Sequence, residues 1–409
     1  MSTILMTAYD INPYKGSESG TGWNFVLQAA HFNKVVAVTR KNNRENIEKY
    51  IEEFNINKSN LEFYYYDFPY FLRFWKKGAR GSSIYFYLWQ MFMPLFIKKK
   101  KIKFDIAHNV NFHADAFPTF LWLLRKPTVW GPINHNEKIP KEYLASKKEY
   151  LKDRLKWAIK SFNWNFDPFM ILAKKNTALI IGGNSSVQKR LKIKSENFIC
   201  MTQVASHKLA PHSQKKEFDT FNVLVVGRFL TIKSFDIAIY SFDNFYSQLT
   251  IEEKKKVRLT IIGQGPLKKA LKEIVRKCES KEAIEFIGWV EKNTMDSYYE
   301  SASIFVFPSH EGAGMVVIEA LSHGLPVICF DNYGPGEFVT DSCSMKISYS
   351  NYKQSIVNYT EAMLKLYRDE KLLNKMSSSS IQLFEEQYTW DSKGLMLNKL
   401  YNKLLNKSS

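Results

Sequence analysis

Cysteine is scarce: Cys200, Cys278, Cys329 and Cys343 show neither a Cys-x-x-Cys pair nor framework spacing. That argues against a disulfide-stapled exterior and for a reducing compartment, the cytosol. A long apolar run is also missing. The longest, Ile84 to Ile97, is interrupted by Gln90 and Pro94 and falls short of the ~20 residues a membrane-spanning helix needs. Met1 to Tyr9 lacks the basic and apolar regions of a secretory signal and reads instead as a first strand. No Asp-x-Asp occurs anywhere, so no divalent-metal site is expected. No fixed-period repeat links the two halves of the chain.

What is present is ordinary globular material. At roughly 150 residues per domain, 409 residues favour two or three domains, and 45% hydrophobic with 24% charged residues excludes wholesale disorder. Lys and Arg number 58 against 40 Asp and Glu, a formal net charge of +18. Such a surplus attracts phosphates on nucleotides, nucleic acids or anionic lipids, and by itself does not choose among them.

Short apolar or β-branched runs, Thr3–Thr7, Val35–Thr39, Phe104–Ala107, Thr128–Trp130 and Leu179–Ile181, alternate with helical periodicity. This is the pattern of βαβ units around a parallel sheet. Trp23, Val26, Leu27 and Ala30 form an i, i+3, i+4, i+7 stripe that would pack on such a sheet. A polar stretch, Ser213 to Thr220, reads as a linker. Beyond it Val223–Val226, Leu259–Ile262, Ile284–Phe286, Ile304–Phe307 and Val327–Phe330 repeat the alternation. After Asp341 the pattern becomes helical, ending in a segment from Trp390 whose Leu395, Leu397, Leu400 and Leu404 require a surface to dock on. The expected domains are 1–212 and 213–389, with a C-terminal helix at 390–409.

Three segments carry chemistry. In the first, which runs from Pro308 to Pro326, Gly312 and Gly314 lead from a strand into a helix at Met315 to His323 that Gly324 ends. A helix starting at a tight glycine turn presents unpaired N–H groups and its positive dipole end, a cradle for phosphate. Glu311 before the turn and Glu319 two helical turns inside can reach opposite ends of one bound molecule, and sugar hydroxyls suit carboxylates. Taken alone, Glu311 reads equally as a turn residue and Glu319 as a solvated helix position. In the second segment, Val225 to Lys233, a strand ends at Gly227 and Arg228 and Lys233 follow in one loop. In an open α/β sheet that edge is where anionic ligands bind, although isolated cations are more often plain surface charges. The third, Asn12 to Gly22, is glycine-rich, but Gly16, Gly20 and Gly22 do not fit G-x-G-x-x-G, which disfavours a nicotinamide enzyme.

Together these segments resemble the retaining, GT-B-fold glycosyltransferases of the group 1 (family 4) type. The resemblance rests on Glu311-x7-Glu319 with its glycine turn, on Gly227-Arg228 with Lys233, on Ile261 to Pro266, and on Phe286 to Val290. Asn12 to Glu18 is similar to members that build bacterial surface polysaccharides such as capsule or lipopolysaccharide.

The resemblance implies two Rossmann-like domains facing a central cleft, with the C-terminal helix crossing back to the first. It implies that Arg228 and Lys233 hold the donor diphosphate, Glu319 the ribose and Glu311 the donor sugar. Gly312 and the backbone of Gly314, Met315 and Val316 would receive phosphate, Gly16 would close over it, Gly263 and Gly265 would line the donor site, and Trp289 and Val290 would meet the base. The chain departs from its relatives after Asp105-Ile-Ala-His108, where Val110 stands in place of a second histidine. His108 and His113 are therefore the catalytic candidates, with His135 also near that edge.

The expected activity is metal-independent transfer of a hexose-type sugar from a nucleotide diphosphate-sugar, UDP being the expected nucleotide, with no cofactor. The acceptor would be a hydroxyl on a glycan or lipid-linked glycan. An epimerase of the same architecture and a basic nucleic-acid-binding protein are the alternatives, the second without a recognisable nucleic-acid module. The location would be cytoplasmic and peripheral on the inner membrane face. There Phe71–Lys101 interleaves Phe74, Trp75, Tyr85, Phe86, Tyr87 and Trp89 with Arg73, Lys76, Lys77, Arg80 and lysines 98–101, suiting an anionic headgroup boundary. A buried helix over Ile84–Ile97 is the competing reading of that segment.

Overall fold

The computed structural model describes residues 1–78, 80–111, 113–144, 146–208 and 220–408. The chain forms two compact units, the first comprising Met1–His135, Lys156–Ala205 and Trp390–Ser409, the second Asn136–Leu155 and Ser206–Thr389. The sequence places 136–155 with the first domain; in the structure this segment belongs to the second. The reason is packing. The Tyr143 ring lies against Phe330 and Tyr349, with centroids 5.4 and 5.5 Å away, and its hydroxyl meets Ser355 Oγ at 2.6 Å. Of the expected linker, all but Thr220 lies outside the described residues.

The first unit is built on a sheet of order β3-β2-β1-β4-β5-β6-β7, every pair parallel. Its strands are β1 (Thr3–Ala8), β2 (Lys34–Thr39), β3 (Leu61–Tyr65), β4 (Ile106–Asn111), β5 (Thr128–Ile133), β6 (Leu179–Gly182) and β7 (Phe198–Cys200). Continuous apolar runs such as Val35 to Val38 are buried on both faces, as a parallel sheet between helix layers requires. The helix Ser17–Ala30 turns Trp23, Val26 and Ala30 inward onto Ile4 and Met6. The helix Ser82–Lys99 buries Tyr85, Phe86, Trp89, Met93 and Ile97 beside Leu5 and Val36. Tyr85, Phe86 and Trp89 are thus core residues and do not face a headgroup boundary. The C-terminal helix Trp390–Ser408 docks on the same unit through Trp390, Leu397 and Tyr401.

The second unit holds β8 (Phe221–Val226), β9 (Val257–Ile262), β10 (Ile284–Ile287), β11 (Ile304–Phe307), β12 (Val327–Phe330) and β13 (Ser344–Ile347). They pair in parallel in the order β10-β9-β8-β11-β12-β13. Its core joins Phe242 and Phe245 of the helix Phe235–Ser247 to Tyr359, Met363 and Leu366 of the helix Tyr352–Arg368. Both sheets reverse their strand order once, between β1 and β4 and between β8 and β11. In an open α/β sheet, ligands bind beyond the carboxyl ends of the strands at such a switch point. Among the described residues no helix is long and apolar enough to cross a membrane.

Candidate functional site

The switch point of the second unit gathers most of the candidate residues. β8 runs out at Gly227, whose φ of 152° favours glycine. A side chain at Gly263 would lie 1.9 Å from the Gly227 carbonyl oxygen, and one at Gly265 would lie 2.5 Å from that of Phe229. The Phe229 N–H donates to the Gln264 carbonyl at 2.9 Å and its ring is fully buried. The two glycines let the loops after β8 and β9 lie against each other, so packing alone accounts for them. The pressed-down loop leaves Arg228 exposed and leads into a tight turn at Thr231–Lys233. The Lys233 side chain is 10% exposed, and its Nζ lies 2.6 Å from Glu311 Oε2 and 4.6 Å from the centroid of the Phe307 ring.

The loop after β11 is held from three sides. The His310 N–H donates to the Ile232 carbonyl at 2.9 Å, joining this loop to the turn that carries Lys233. The His310 ring meets Ser234 Oγ at 3.0 Å and the Tyr349 hydroxyl at 2.8 Å, and lies nearly parallel to the Phe330 and Tyr349 rings, 5.2 and 5.5 Å from their centroids. Burial lowers its pKa to about 3, so it is a neutral structural imidazole. Asn136 accepts from the Gly312 N–H at 2.9 Å. Behind them, Asn332 donates to the Ser309 carbonyl and accepts from the N–H groups of Gly334 and Gly336. A side chain at Gly334 would lie 2.0 Å from the Glu311 carbonyl oxygen.

Gly314 then opens the helix Met315–Ser322, which no side chain caps. Its first N–H groups and the positive end of its dipole therefore lie just past Glu311. Farther along the helix, half-buried Glu319 accepts from the Tyr299 hydroxyl at 2.9 Å. Burial and the neighbouring carboxylate push the Tyr299 pKa well above its usual value, keeping it a donor that orients Glu319. Trp289, 73% exposed, and Val290 follow β10 at the same sheet edge, two strands from β8.

In the first unit the candidates separate. Gly16 is exposed at the uncapped start of the helix Ser17–Ala30, and a side chain there would meet nothing within 4 Å. His108 is not placed to act on a ligand. It is fully buried in β4, one ring nitrogen 2.6 Å from the Tyr401 hydroxyl and the other 2.6 Å from the Gly131 carbonyl. Burial lowers its pKa to about 4. The isolated histidine that reads as a catalytic group is thus the anchor of the C-terminal helix.

His113 differs. Its Nδ1 donates to the Pro132 carbonyl at 2.7 Å, which makes Nε2 a buried acceptor with no hydrogen-bond partner among the described residues. Glu18 accepts from its backbone N–H at 2.8 Å. His135 lies beside Lys160, at 3.0 Å, and burial with that cation lowers its pKa to about 2. Among the described residues no group of three or more His, Cys, Asp or Glu side chains is arranged to hold a metal ion.

The residues missed from the sequence are His310, Asn136, Asn332 and Tyr299. Asn332 was legible, since Asp331-Asn-Tyr-Gly-Pro-Gly336 is a strong turn signal. Asn136 carried none, because its partner Gly312 lies 176 positions away.

Residues 208–382 match the family described as glycosyl transferases group 1. The chain is 23% identical over 259 residues to the poly(glycerol-phosphate) alpha-glucosyltransferase of Bacillus subtilis, covering 63% of this chain and 35% of that protein. It is 30% identical over 146 residues to an uncharacterized glycosyltransferase of Haemophilus influenzae, covering 36% and 38%. These alignments span little more than a third of either relative's length. The structure is similar to that of Anabaena HepE in complex with UDP and glucose, with a TM-score of 0.61, 12% identity, and 98% and 100% of the two chains covered. The fold is GT-B, two Rossmann-like units each with a parallel sheet.

Proposed function

We propose that the chain is a glycosyltransferase that moves a hexose-type sugar from a UDP-sugar to a hydroxyl of a cell-surface glycan or lipid-linked glycan in the cytoplasm, with retention and without a metal ion. One observation carries this reading. Lys233, Glu311 and the uncapped helix start at Gly314 adjoin at the switch point of a sheet whose sequence matches group 1 glycosyl transferases. The UDP and glucose bound by HepE and the glucosyltransferase activity in the B. subtilis relative's name support the choice of donor class.

On this reading Arg228 and Lys233 neutralise the diphosphate, and Gly312 and the backbone of Gly314, Met315 and Val316 receive its oxygens. Lys233 pairs with Glu311 at 2.6 Å; a diphosphate would compete for that cation and release the carboxylate toward sugar hydroxyls. Glu319, oriented by Tyr299, would accept from the ribose, and Trp289 and Val290 would border the base. In the transfer the bond from the sugar's anomeric carbon to the diphosphate breaks. The acceptor oxygen bonds to the same face, and a leaving phosphate oxygen takes the acceptor's proton. Fixed cations and helix N–H groups are preorganised for the charge that develops on the leaving group, and such electrostatic preorganisation is the main source of rate acceleration in group transfer of this kind. In the first unit, Gly16 and His113 are the residues proposed to take part.

The test is incubation with a panel of nucleotide-sugars and glycan acceptors in the presence of EDTA, following nucleotide release. Release from a UDP-sugar that depends on an acceptor is expected. Absence of release from every donor would overturn the reading. Release abolished by EDTA and restored by Mg²⁺ would overturn its metal-independent part alone.

A further inference from the structure

The helix Lys147–Phe166 wears its apolar side outward. Leu151, Leu155, Ile159, Phe162 and Phe166 recur at intervals of four, four, three and four, a single line along a helix of 3.6 residues per turn. They are 57%, 63%, 57%, 62% and 67% exposed. The opposite face is the one that packs: the Trp157 and Trp164 rings lie 5.2 and 5.0 Å from His135. A solvated helix would have polar residues where this one has its stripe. Asp167 then caps the helix Pro168–Asn176, accepting from the N–H groups of Phe169 and Met170, and Phe169, Ile171 and Leu172 extend the exposed apolar surface.

The charges on the long helix are sorted around that stripe. At 100° per residue, Lys147 and Arg154 fall on one flank and Lys152 and Lys156 on the other, while Lys148 lies in line with the N-terminal end of the stripe and Lys160 lies on the packed face beside His135. Its acids, Glu149 and Asp153, lie on the far side. Glu149 accepts from the Thr231 hydroxyl at 2.9 Å and Asp153 from Arg154 at 2.8 Å. An apolar line bordered by cations on both sides, its acids turned away, matches the boundary of an anionic bilayer. There the large side chains enter the acyl region and the long cationic stems reach back to the headgroups. A second copy of the chain fits poorly, because an isologous contact along this stripe would set cation against cation on each flank.

We propose that the exposed face of Lys147–Phe166, continued by Pro168–Asn176, seats the chain on an anionic membrane surface. This relocates the membrane contact from Phe71–Lys101, three of whose aromatics are core. It stands whether or not the transferase reading does, since it uses none of the donor-site residues.

The experiment is cosedimentation of the full chain with phosphatidylcholine vesicles, with and without phosphatidylglycerol, at low and high salt. Wild type should bind the anionic vesicles and be released by salt. Leu155→Ser/Phe162→Ser should bind at least about tenfold more weakly, with a melting temperature near that of wild type because both sites are exposed. Lys152→Gln/Lys156→Gln should lose much of the difference between the two vesicle types. Replacing Lys98–Lys101 by Gln should change less. Failure of wild type to bind, unchanged binding in both Leu155→Ser/Phe162→Ser and Lys152→Gln/Lys156→Gln, or loss of binding only in the Lys98–Lys101 variant would overturn the proposal. So would lipid-independent self-association that Leu155→Ser/Phe162→Ser abolishes.

Discussion

Replacing Lys233 by Ala separates structural from functional roles at the donor site. The mutation removes a cation 2.6 Å from Glu311 Oε2, in a pair whose side chains are 10% and 24% exposed. Exposed pairs contribute about 0–1 kcal/mol and breaking a fully buried one costs about 3–5 kcal/mol. A pair this sheltered should cost about 2 kcal/mol, or roughly 4–8 °C of melting temperature for a unit of this size. The orphaned Glu311 carboxylate accounts for much of that, so Lys233→Ala/Glu311→Gln should recover part of it. Affinity for UDP should behave differently. A charge-assisted hydrogen bond to phosphate is worth about 1.5–3 kcal/mol, so binding should weaken about 10- to 150-fold in the single variant and stay weak in the double. Isothermal titration with UDP beside thermal unfolding reads both. If Lys233→Ala binds UDP as tightly as wild type, Lys233 is a structural lysine and the assignment fails.

Glu319→Ala should weaken UDP binding by about tenfold, and Tyr299→Phe should reproduce part of that loss by releasing the carboxylate it orients. Glu311→Ala should chiefly lower turnover; UDP affinities equal in wild type and Glu319→Ala would remove the ribose role. Acid should destabilise the fold through its buried histidines, His108 among them. His108 is held neutral down to about pH 4 against an ordinary value of 6.5, so below 6.5 the unfolded chain takes up a proton that the folded chain refuses. The stabilisation, about 3 kcal/mol, is complete above pH 6.5 and lost progressively as pH falls to about 4. Melting temperature against pH should show that slope in wild type and a shallower one in His108→Gln; a flat wild-type profile would contradict it.

Much of the sheet architecture was legible because buried parallel strands are short unbroken apolar runs. Ile304–Phe307 and Val327–Phe330 have the limits their sequences suggest. β3, β7 and β13 were missed for physical reasons. Leu61–Tyr65 is only partly buried, Phe198–Cys200 has three residues, and Ser344–Ile347 mixes polar with apolar side chains. β4 begins later than Phe104–Ala107 and carries polar His108, Asn109 and Asn111 into the interior. The sequence offers His108 there as a catalytic candidate, whereas the Tyr401 and Thr7 hydroxyls and backbone carbonyls satisfy these groups inside. The glycine turn and its flanking carboxylates stood out because their spacing is local. The contacts that brace them, from Asn136 and Tyr143, join distant parts of the chain and have no local signature.

The most direct measurement is a crystal structure of the chain with UDP. The account predicts the diphosphate within hydrogen-bond distance of the Met315 and Val316 N–H groups and of Lys233 Nζ, with the Lys233–Glu311 contact lengthened and the ribose on Glu319. UDP bound elsewhere, or a Lys233–Glu311 pair still closed beside a bound diphosphate, would contradict it.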